Sequence, residues 1–257
     1  MRVLLLGGTA EARGLAAELQ PDVDVISSLA GRVPDPALPV GTVRIGGFGG
    51  VDGMRRWLVD SGVEAVVDAT HPFAATITAH AAAVCGQLRL PYLVLARPAW
   101  PAGDAIVVGS DVVAADTVVR QGYSRIFLTT GRSGVGAFAD VDAWFLIRAV
   151  TAPEPHTLPR RYQVVLSRGP YRYGDELALL REHGIDALVT KNSGGDMTRP
   201  KLDAAAALGV PVVMVDRPPL PEGVNTVSTV EDAAAWVRRF VPSSWLPRAG
   251  PTPPARG

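Results

Sequence analysis

The sequence predicts an α/β protein with two domains, each built around a parallel sheet, and three observations support this prediction. Short apolar segments alternate with helical patterns along the 257 residues, as expected of strands joined by crossover helices. Polar, glycine-containing segments follow several of the apolar ones. Pro98 and Pro101 flank Trp100 and interrupt the alternation, which favours a domain boundary there. We therefore predict domains at residues 1–98 and 99–241, and a disordered tail at 242–257, which contains five prolines.

The first domain opens with a strand, a glycine turn and a helix. Residues 3–6 are continuously apolar, Gly7 and Gly8 end the run, and a helical pattern follows. This unit places phosphate groups on free N–H groups at a helix N-terminus. The dinucleotide fingerprint is incomplete, because Thr9 and Ala12 stand where its second and third glycines would be. A tight turn without a ligand is therefore the alternative.

The end of the second predicted strand, residues 25–28, indicates which dinucleotide would bind. Ser27 and Ser28 stand where NAD sites usually have an acidic residue, and Arg32 follows four residues after Ser28. Hydroxyl groups and a guanidinium suit a 2′-phosphate, which a carboxylate would repel. The pattern favours NADP(H), unless Arg32 is only a solvated loop residue.

Two further loops of this domain follow predicted strands. After residues 43–45 come Gly46 and Gly47, part of a glycine-rich loop that allows close approach of an adenosine or is simply a flexible turn. After residues 65–67 come Thr70 and His71, at an edge where open α/β sheets bind ligands. His71 is a donor to a cofactor or substrate oxygen, or else a capping or packing residue. Helices at 51–61 and 75–88 and a strand at 92–96 complete the pattern.

The second domain repeats the alternation and contains two donor-rich loops. One is residues 129–132, which end in Arg132, and the other is residues 191–195, which begin with Lys191. Arg168, beside Tyr171 and Arg172, extends the cationic groups. The alternative is turn chemistry with solvated charges. The predicted strands are 125–128, 144–148, 163–166, 187–189, 212–215 and 225–228, and the predicted helices are 174–183, 199–208 and 230–240.

Composition excludes several classes of protein. The formal net charge is zero, so no basic field suggests nucleic acid as a partner. No apolar run approaches the roughly 18 residues of a membrane span. Cys85 is the only cysteine and lies in an apolar pattern, which indicates a buried thiol and fits a reducing cytoplasm. The sequence also lacks metal-ligand spacing, a nucleophile elbow and a phosphate-binding P-loop.

Five segments together resemble the precorrin-6A reductases, a family of NADPH-dependent reductases in cobalamin biosynthesis. The segments are residues 7–12 (GGTAEA), 28–32 (SLAGR), 68–74 (DATHPFA), 130–132 (TGR) and 191–195 (KNSGG). The resemblance covers about residues 1–240. It implies two Rossmann-like domains with the cofactor in a cleft between them. It also implies hydride transfer to precorrin-6A, a tetrapyrrole with many carboxylates, and leaves contact with neighbouring pathway enzymes open.

The resemblance also implies roles for individual residues. Thr70 and His71 would lie near the nicotinamide, and Arg132 and Arg168 would bind substrate carboxylates. The implied cofactor contacts are Gly8, Thr9 and Ala10 at the pyrophosphate, Ser28 and Arg32 at the 2′-phosphate, Gly46 and Gly47 at the adenosine, and Lys191, Asn192, Ser193 and Gly194 from the second domain.

Two other functions remain open at this stage. One is an S-adenosylmethionine-dependent methyltransferase of the same pathway, which is also a two-domain α/β protein. The other is a non-catalytic NADP(H)-binding module. The sequence does not identify the proton donor, the oligomeric state, or whether the ring contains cobalt.

Overall fold

The computed structural model describes residues 1–20, 22–31 and 37–240 and divides the chain into two compact units. Among the described residues, the first unit combines those of Met1–Ala96 with 220–240, and the second is Arg97–Pro219. The predicted disordered tail, 242–257, lies outside the described residues.

The first unit is a six-stranded sheet of parallel neighbours, counted over the described residues. Its elements are β1 (Arg2–Leu6), α1 (Ala10–Leu19), β2 (Asp24–Leu29), β3 (Thr42–Ile45), α2 (Gly50–Asp60), β4 (Ala65–Asp68), α3 (Ala75–Leu88), β5 (Tyr92–Leu95), β12 (Asn225–Val227) and α7 (Val230–Arg238). The strand order is β3-β2-β1-β4-β5-β12. Order reverses between β1 and β4, so the carboxyl ends of these two strands lie at a topological switch point.

Helices cover both faces of this sheet. Alternate residues of β1 explain why: Val3 and Leu5 pack towards α1 and α7, whereas Leu4 and Leu6 pack towards α2 and α3. All four side chains are almost fully buried, as in a parallel sheet covered on both sides. Cys85 belongs to the second of these layers, and burial raises the pKa of its thiol to about 12. The prediction of a buried, structural thiol is therefore confirmed.

The second unit contains a second six-stranded sheet of parallel neighbours within the described residues. Its elements are β6 (Ile106–Val108), α4 (Asp111–Gln121), β7 (Arg125–Thr129), β8 (Trp144–Ala149), β9 (Arg161–Leu166), α5 (Tyr173–Glu182), β10 (Ala187–Lys191), α6 (Pro200–Leu208) and β11 (Val212–Val215), with short 3-10 helices at Arg132–Phe138, Pro155–Thr157 and Asp196–Thr198. The strand order is β6-β11-β10-β7-β8-β9, with a switch point between β7 and β10.

The predicted class, two parallel-sheet α/β units, is confirmed, but the division of the chain differs. The predicted second domain includes residues 220–241. In the structure, β12 pairs with β5 and α7 packs on α1, so this segment belongs to the first unit. The reason is that the chain passes between the two units twice. After β5 it forms β6, an edge strand of the second sheet, and after β11 it returns to form β12, an edge strand of the first sheet.

Candidate cofactor-binding site

The turn between β1 and α1 has the backbone geometry of a phosphate site. Gly8 has φ +114°, and a Cβ there would meet no atom within 4 Å, so the backbone is open to a ligand. Ala10 is the first residue of α1, whose first-turn N–H groups have no intrahelical acceptors. The Thr9 hydroxyl accepts from the Ala12 N–H (3.1 Å) and donates to the Ala69 carbonyl (2.8 Å). Thr9 therefore caps the helix, and its side chain has no hydrogen left for a phosphate.

The end of β2 carries Ser28 as predicted, and the structure adds a residue that the sequence analysis missed. Ser28 and Arg44 are register partners on β2 and β3. Nη1 of Arg44 donates to Ser28 Oγ (2.8 Å) and to the Gly46 carbonyl (3.1 Å), and Nη2 donates to the Gly47 carbonyl (3.0 Å). The predicted partner, Arg32, lies outside the described residues.

The glycine-rich loop after β3 presents an open surface. Gly46 has φ +119°, and a Cβ at either Gly46 or Gly47 would meet nothing within 4 Å. The carbonyls of both glycines accept from Arg44, and the Arg44 guanidinium lies 3.9 Å above the Phe48 ring centre. The Arg44 side chain thus holds the loop in place, while the backbone at Gly46 and Gly47 remains uncovered.

Asp68 fixes the loop that follows β4. The side chain is 1% exposed, and its carboxylate accepts four hydrogen bonds. Oδ1 accepts from the N–H (2.9 Å) and hydroxyl (2.7 Å) of Thr70, and Oδ2 accepts from the hydroxyls of Thr78 (2.7 Å) and Tyr92 (3.1 Å). Burial and the Asp68 carboxylate raise the pKa of Tyr92, which therefore stays protonated as a donor.

These bonds define what Thr70 and His71 can offer to a ligand. The Thr70 hydroxyl hydrogen is used by Asp68, so a ligand would find only an acceptor there. Nδ1 of His71 accepts from the Phe73 N–H at 3.3 Å. In the neutral ring, the proton is then assigned to Nε2, which makes that nitrogen a donor.

The predicted site residues of the first unit therefore come together at one sheet edge. Strands β1, β2, β3 and β4 are adjacent and parallel, so the segments after them share the carboxyl edge. Gly8, Thr9, Ser28, Gly46, Gly47, Thr70 and His71 lie on those strand ends or in the loops that follow, and Ala10 is the first residue of α1.

In the second unit, the loop after β10 is held mainly by its neighbours within that unit. Asn192 Oδ1 accepts from the Trp100 N–H (2.9 Å), and its Nδ2 donates to the Trp100 carbonyl (3.2 Å). Arg217, which the sequence analysis missed, donates to the carbonyls of Asn192 (2.8 Å) and Ser193 (3.1 Å). Gly194 has φ +67°, and a Cβ there would overlap the Pro98 carbonyl. Cofactor contact by these residues stays a prediction, and the Asn192 side chain already has a structural role.

Three predicted cations of this unit differ in setting. Lys191 pairs with Asp111 at 3.1 Å and is mostly buried. Arg132 and Arg168 are exposed, in the segments after β7 and β9. All three lie towards the carboxyl edge of the second sheet.

Behind the Arg168 loop lies a buried ionic cluster that the sequence did not reveal. Arg148 and Glu176 form a bidentate pair (2.9 and 2.8 Å), and the Arg148 guanidinium lies 4.1 Å from the Tyr171 ring centre. Lys201, 4% exposed, donates to the Thr198 carbonyl (2.7 Å). Burial lowers the pKa of Lys201 to about 7; Glu176 opposes this shift and Arg148 adds to it.

A metal-binding cluster and a membrane-spanning helix are both absent from the described residues. Within residues 1–20, 22–31 and 37–240, no group of three or more His, Cys, Asp or Glu side chains is placed to hold a metal ion. In the same part of the chain, no helix has the length and apolar character needed to cross a membrane.

Comparison with known proteins gives a consistent result over nearly the whole chain. The family described as "Precorrin-6x reductase CbiJ/CobK" matches residues 2–238. The precorrin-6A reductase of Mycobacterium tuberculosis (strain ATCC 25618 / H37Rv) is 71% identical over 92% of this chain and 97% of its own length. That of Rhodococcus erythropolis is 54% identical, with the same coverage. A solved structure, "CobK precorrin-6A reductase", superposes with a TM-score of 0.84 at 37% identity, covering 93% of this chain and 96% of that one.

Proposed function

We propose that this chain, which belongs to the precorrin-6x reductase family, uses NADPH to reduce precorrin-6A to precorrin-6B. Family membership identifies a reductase that needs a reduced nicotinamide cofactor. NADPH as that cofactor and precorrin-6A as the substrate are our proposals. The observation that carries the choice of cofactor is the end of β2, where Ser28 is hydrogen-bonded to the Arg44 guanidinium and no carboxylate follows on the strand.

Three features of the first unit are suited to binding a dinucleotide. The pyrophosphate would lie on the backbone N–H groups of Gly8, Thr9 and Ala10, at the N-terminus of α1. The adenosine would lie along the open backbone of Gly46 and Gly47. The 2′-phosphate would meet Ser28, together with Arg32 from the sequence-based proposal. Thr9 contributes through its main chain only, because its hydroxyl is already used.

The residues after β4 would position the reacting end of the cofactor. The nicotinamide supplies a hydride, and a proton from solvent or an acid completes the addition of two hydrogens to the ring. Thr70 can accept a hydrogen bond from a carboxamide or ribose donor, and His71 can donate from Nε2. Asp68 holds Thr70 in place through two bonds, which reduces the freedom of the loop before the ligand arrives.

The proposed substrate suits the second unit because its carboxylates require local cations rather than a basic surface. Arg132 and Arg168 are exposed on segments at the carboxyl edge of that sheet, and the chain as a whole is neutral. Both sequence relatives described above are named for the cobalt-free ring, so we propose the cobalt-free substrate.

The deciding experiment is an assay of NADPH oxidation at 340 nm with enzymatically prepared precorrin-6A. We expect a loss of absorbance that depends on the tetrapyrrole and is much slower with NADH or with cobalt-precorrin-6A. Product mass should increase by two hydrogens. Binding of NADPH without any oxidation would instead support the non-catalytic module, and micromolar binding of S-adenosylmethionine would support the methyltransferase.

A further inference from the structure

We propose that Arg44 contributes to the selection of NADPH over NADH, by binding the 2′-phosphate together with Ser28. This inference rests on the proposed function and assigns its cofactor specificity to a side chain of β3. The sequence motifs did not indicate Arg44, because an arginine on a short edge strand has no signature of its own.

The geometry around Arg44 is that of a fixed guanidinium. The central carbon of its guanidinium lies over the Phe48 ring, 3.9 Å from the ring centre, and 5.2 Å from the ring centre of Trp57. Three N–H groups donate to Ser28, Gly46 and Gly47. A guanidinium held this way loses little conformational freedom when a ligand binds, which favours tight and specific recognition.

The charge of Arg44 is not balanced by a neighbouring carboxylate. Among the described residues, no Asp or Glu oxygen lies within the 4.0 Å of a salt bridge to Arg44, although the side chain is half-buried. Burial lowers the pKa of Arg44, but arginine remains protonated in proteins. A dianionic phosphate would balance the charge of this fixed, partly desolvated guanidinium, which has no counter-ion among the described residues.

Donors remain for that phosphate. An arginine has five N–H groups, and the described residues accept from three of them, which leaves Nε and one hydrogen of Nη2. Ser28 Oγ accepts from Arg44, so its own hydrogen can point onward to a phosphate oxygen. The adjacent glycine backbone is open, which provides room for the adenosine that would carry the phosphate.

A purely structural role is the competing explanation, in which Arg44 only holds the glycine-rich loop. The two roles predict different results with nucleotide fragments. Loss of a loop clamp would weaken binding of any adenosine nucleotide. Loss of a phosphate ligand would weaken only nucleotides with a 2′-phosphate.

The test compares Arg44→Gln with the unsubstituted full-length chain by calorimetry, with adenosine 2′,5′-bisphosphate and adenosine 5′-monophosphate as probes. We expect Arg44→Gln to weaken the bisphosphate about 10- to 100-fold, the range for a charged hydrogen bond, and to change the monophosphate less than about twofold. Arg44→Lys keeps the charge but not the planar pair of N–H donors, and should recover part of the bisphosphate affinity that Arg44→Gln loses. Arg55→Gln, an exposed arginine of α2, is the matched control and should change neither.

Three results would overturn the inference: equal weakening of both probes, no weakening of either, or no preference for the bisphosphate in the unsubstituted chain. If Arg44→Gln does not fold, judged by circular dichroism, Ser28→Ala and Arg44→Lys provide the same comparison. Failure of the proposed function would be seen separately, as absence of NADPH oxidation with precorrin-6A while the bisphosphate still binds.

Discussion

At the scale of single residues, hydrogen-bond capacity decides which side chains can still meet a ligand. Thr9 and Asn192 each follow a strand and Asp68 is the last residue of one, yet their polar atoms are used by the protein itself. Ser28 and Thr70 differ, because the Ser28 hydroxyl can still donate a hydrogen bond and the Thr70 hydroxyl oxygen can still accept one. Patterns in the sequence place these residues at the carboxyl edge of a sheet, but only the structure shows which of their atoms already form hydrogen bonds.

Thr70 provides a direct test of this distinction. Thr70→Ser keeps the hydroxyl and should leave kcat/KM within about twofold, whereas Thr70→Val should lower it about 5- to 10-fold, the effect of one neutral hydrogen bond. Steady-state kinetics with NADPH measures both. The idea fails if the serine variant is as slow as the valine variant, provided that both melt at similar temperatures.

Gly194 tests the backbone of the second-unit loop. Gly194→Ala should destabilise the protein by more than about 1 kcal/mol, because φ is +67° and the new Cβ would overlap the Pro98 carbonyl. Gly174→Ala is the control, since a Cβ there meets nothing within 4 Å and its φ is ordinary. Urea unfolding compares them; equal stability of the two variants would contradict this reading of the loop.

At the scale of elements, short strands with regular apolar runs were predicted well and β6 with α4 were not. β6 has only three residues, and α4 contains four valines, which favour strands as much as helices. Ser110, which caps α4 by accepting from the Val113 N–H, was the available signal. The ionic cluster of β8, α5 and α6 was beyond prediction, because it joins residues that are 25 to 53 positions apart in the sequence.

Lys201, on α6, should make stability depend on pH. Its pKa is about 7 in the folded chain and near its ordinary 10.5 when unfolded, so between these values the unfolded chain binds more protons and stability rises with pH. The difference in unfolding free energy between the unsubstituted chain and Lys201→Met should shift in favour of lysine by about 1.5 kcal/mol from pH 7 to pH 8.5. Urea titrations at the two pH values measure it. A difference that does not change with pH would show that Lys201 keeps its charge.

Asn192 tests how the segment around Trp100 is attached to β10. Asn192→Ala removes two buried hydrogen bonds and leaves the Trp100 backbone unpaired, which should cost about 2–4 kcal/mol. Asn192→Asp retains only the acceptor and should also be destabilised. A cost below about 0.5 kcal/mol in both variants, measured by chemical unfolding, would mean that the attachment depends on other contacts such as those of Arg217.

At the scale of the whole molecule, the sequence shows two parallel-sheet units but hides how the chain is shared between them. The Pro-rich segment marks the first passage between units correctly, near residue 97. The second passage, near residue 219, has no comparable interruption of the strand-helix alternation, so β12 is predicted as one more strand of the second domain. Its three residues, Asn225, Thr226 and Val227, carry no information on which sheet they join.

Removal of the returning segment should therefore disrupt the first unit rather than the second. A chain that ends at Pro219 lacks α7, whose Ala233, Ala234 and Val237 are fully buried against α1 and β1. We expect loss of the cooperative unfolding transition of the first unit and of nucleotide binding, while the second unit keeps its own transition. Limited proteolysis should cut residues 1–96 first; a fully protected N-terminal part would contradict the observed division.

The exchanged edge strands also bear on how the protein is made. During synthesis, the amino-terminal sheet must wait for β12, which leaves the ribosome only after the whole second unit has been translated. Until then the unpaired edge of β5 stays available to other chains. The nascent protein thus has a prolonged period of vulnerability to aggregation, which makes it a candidate client for chaperones that shield strand edges.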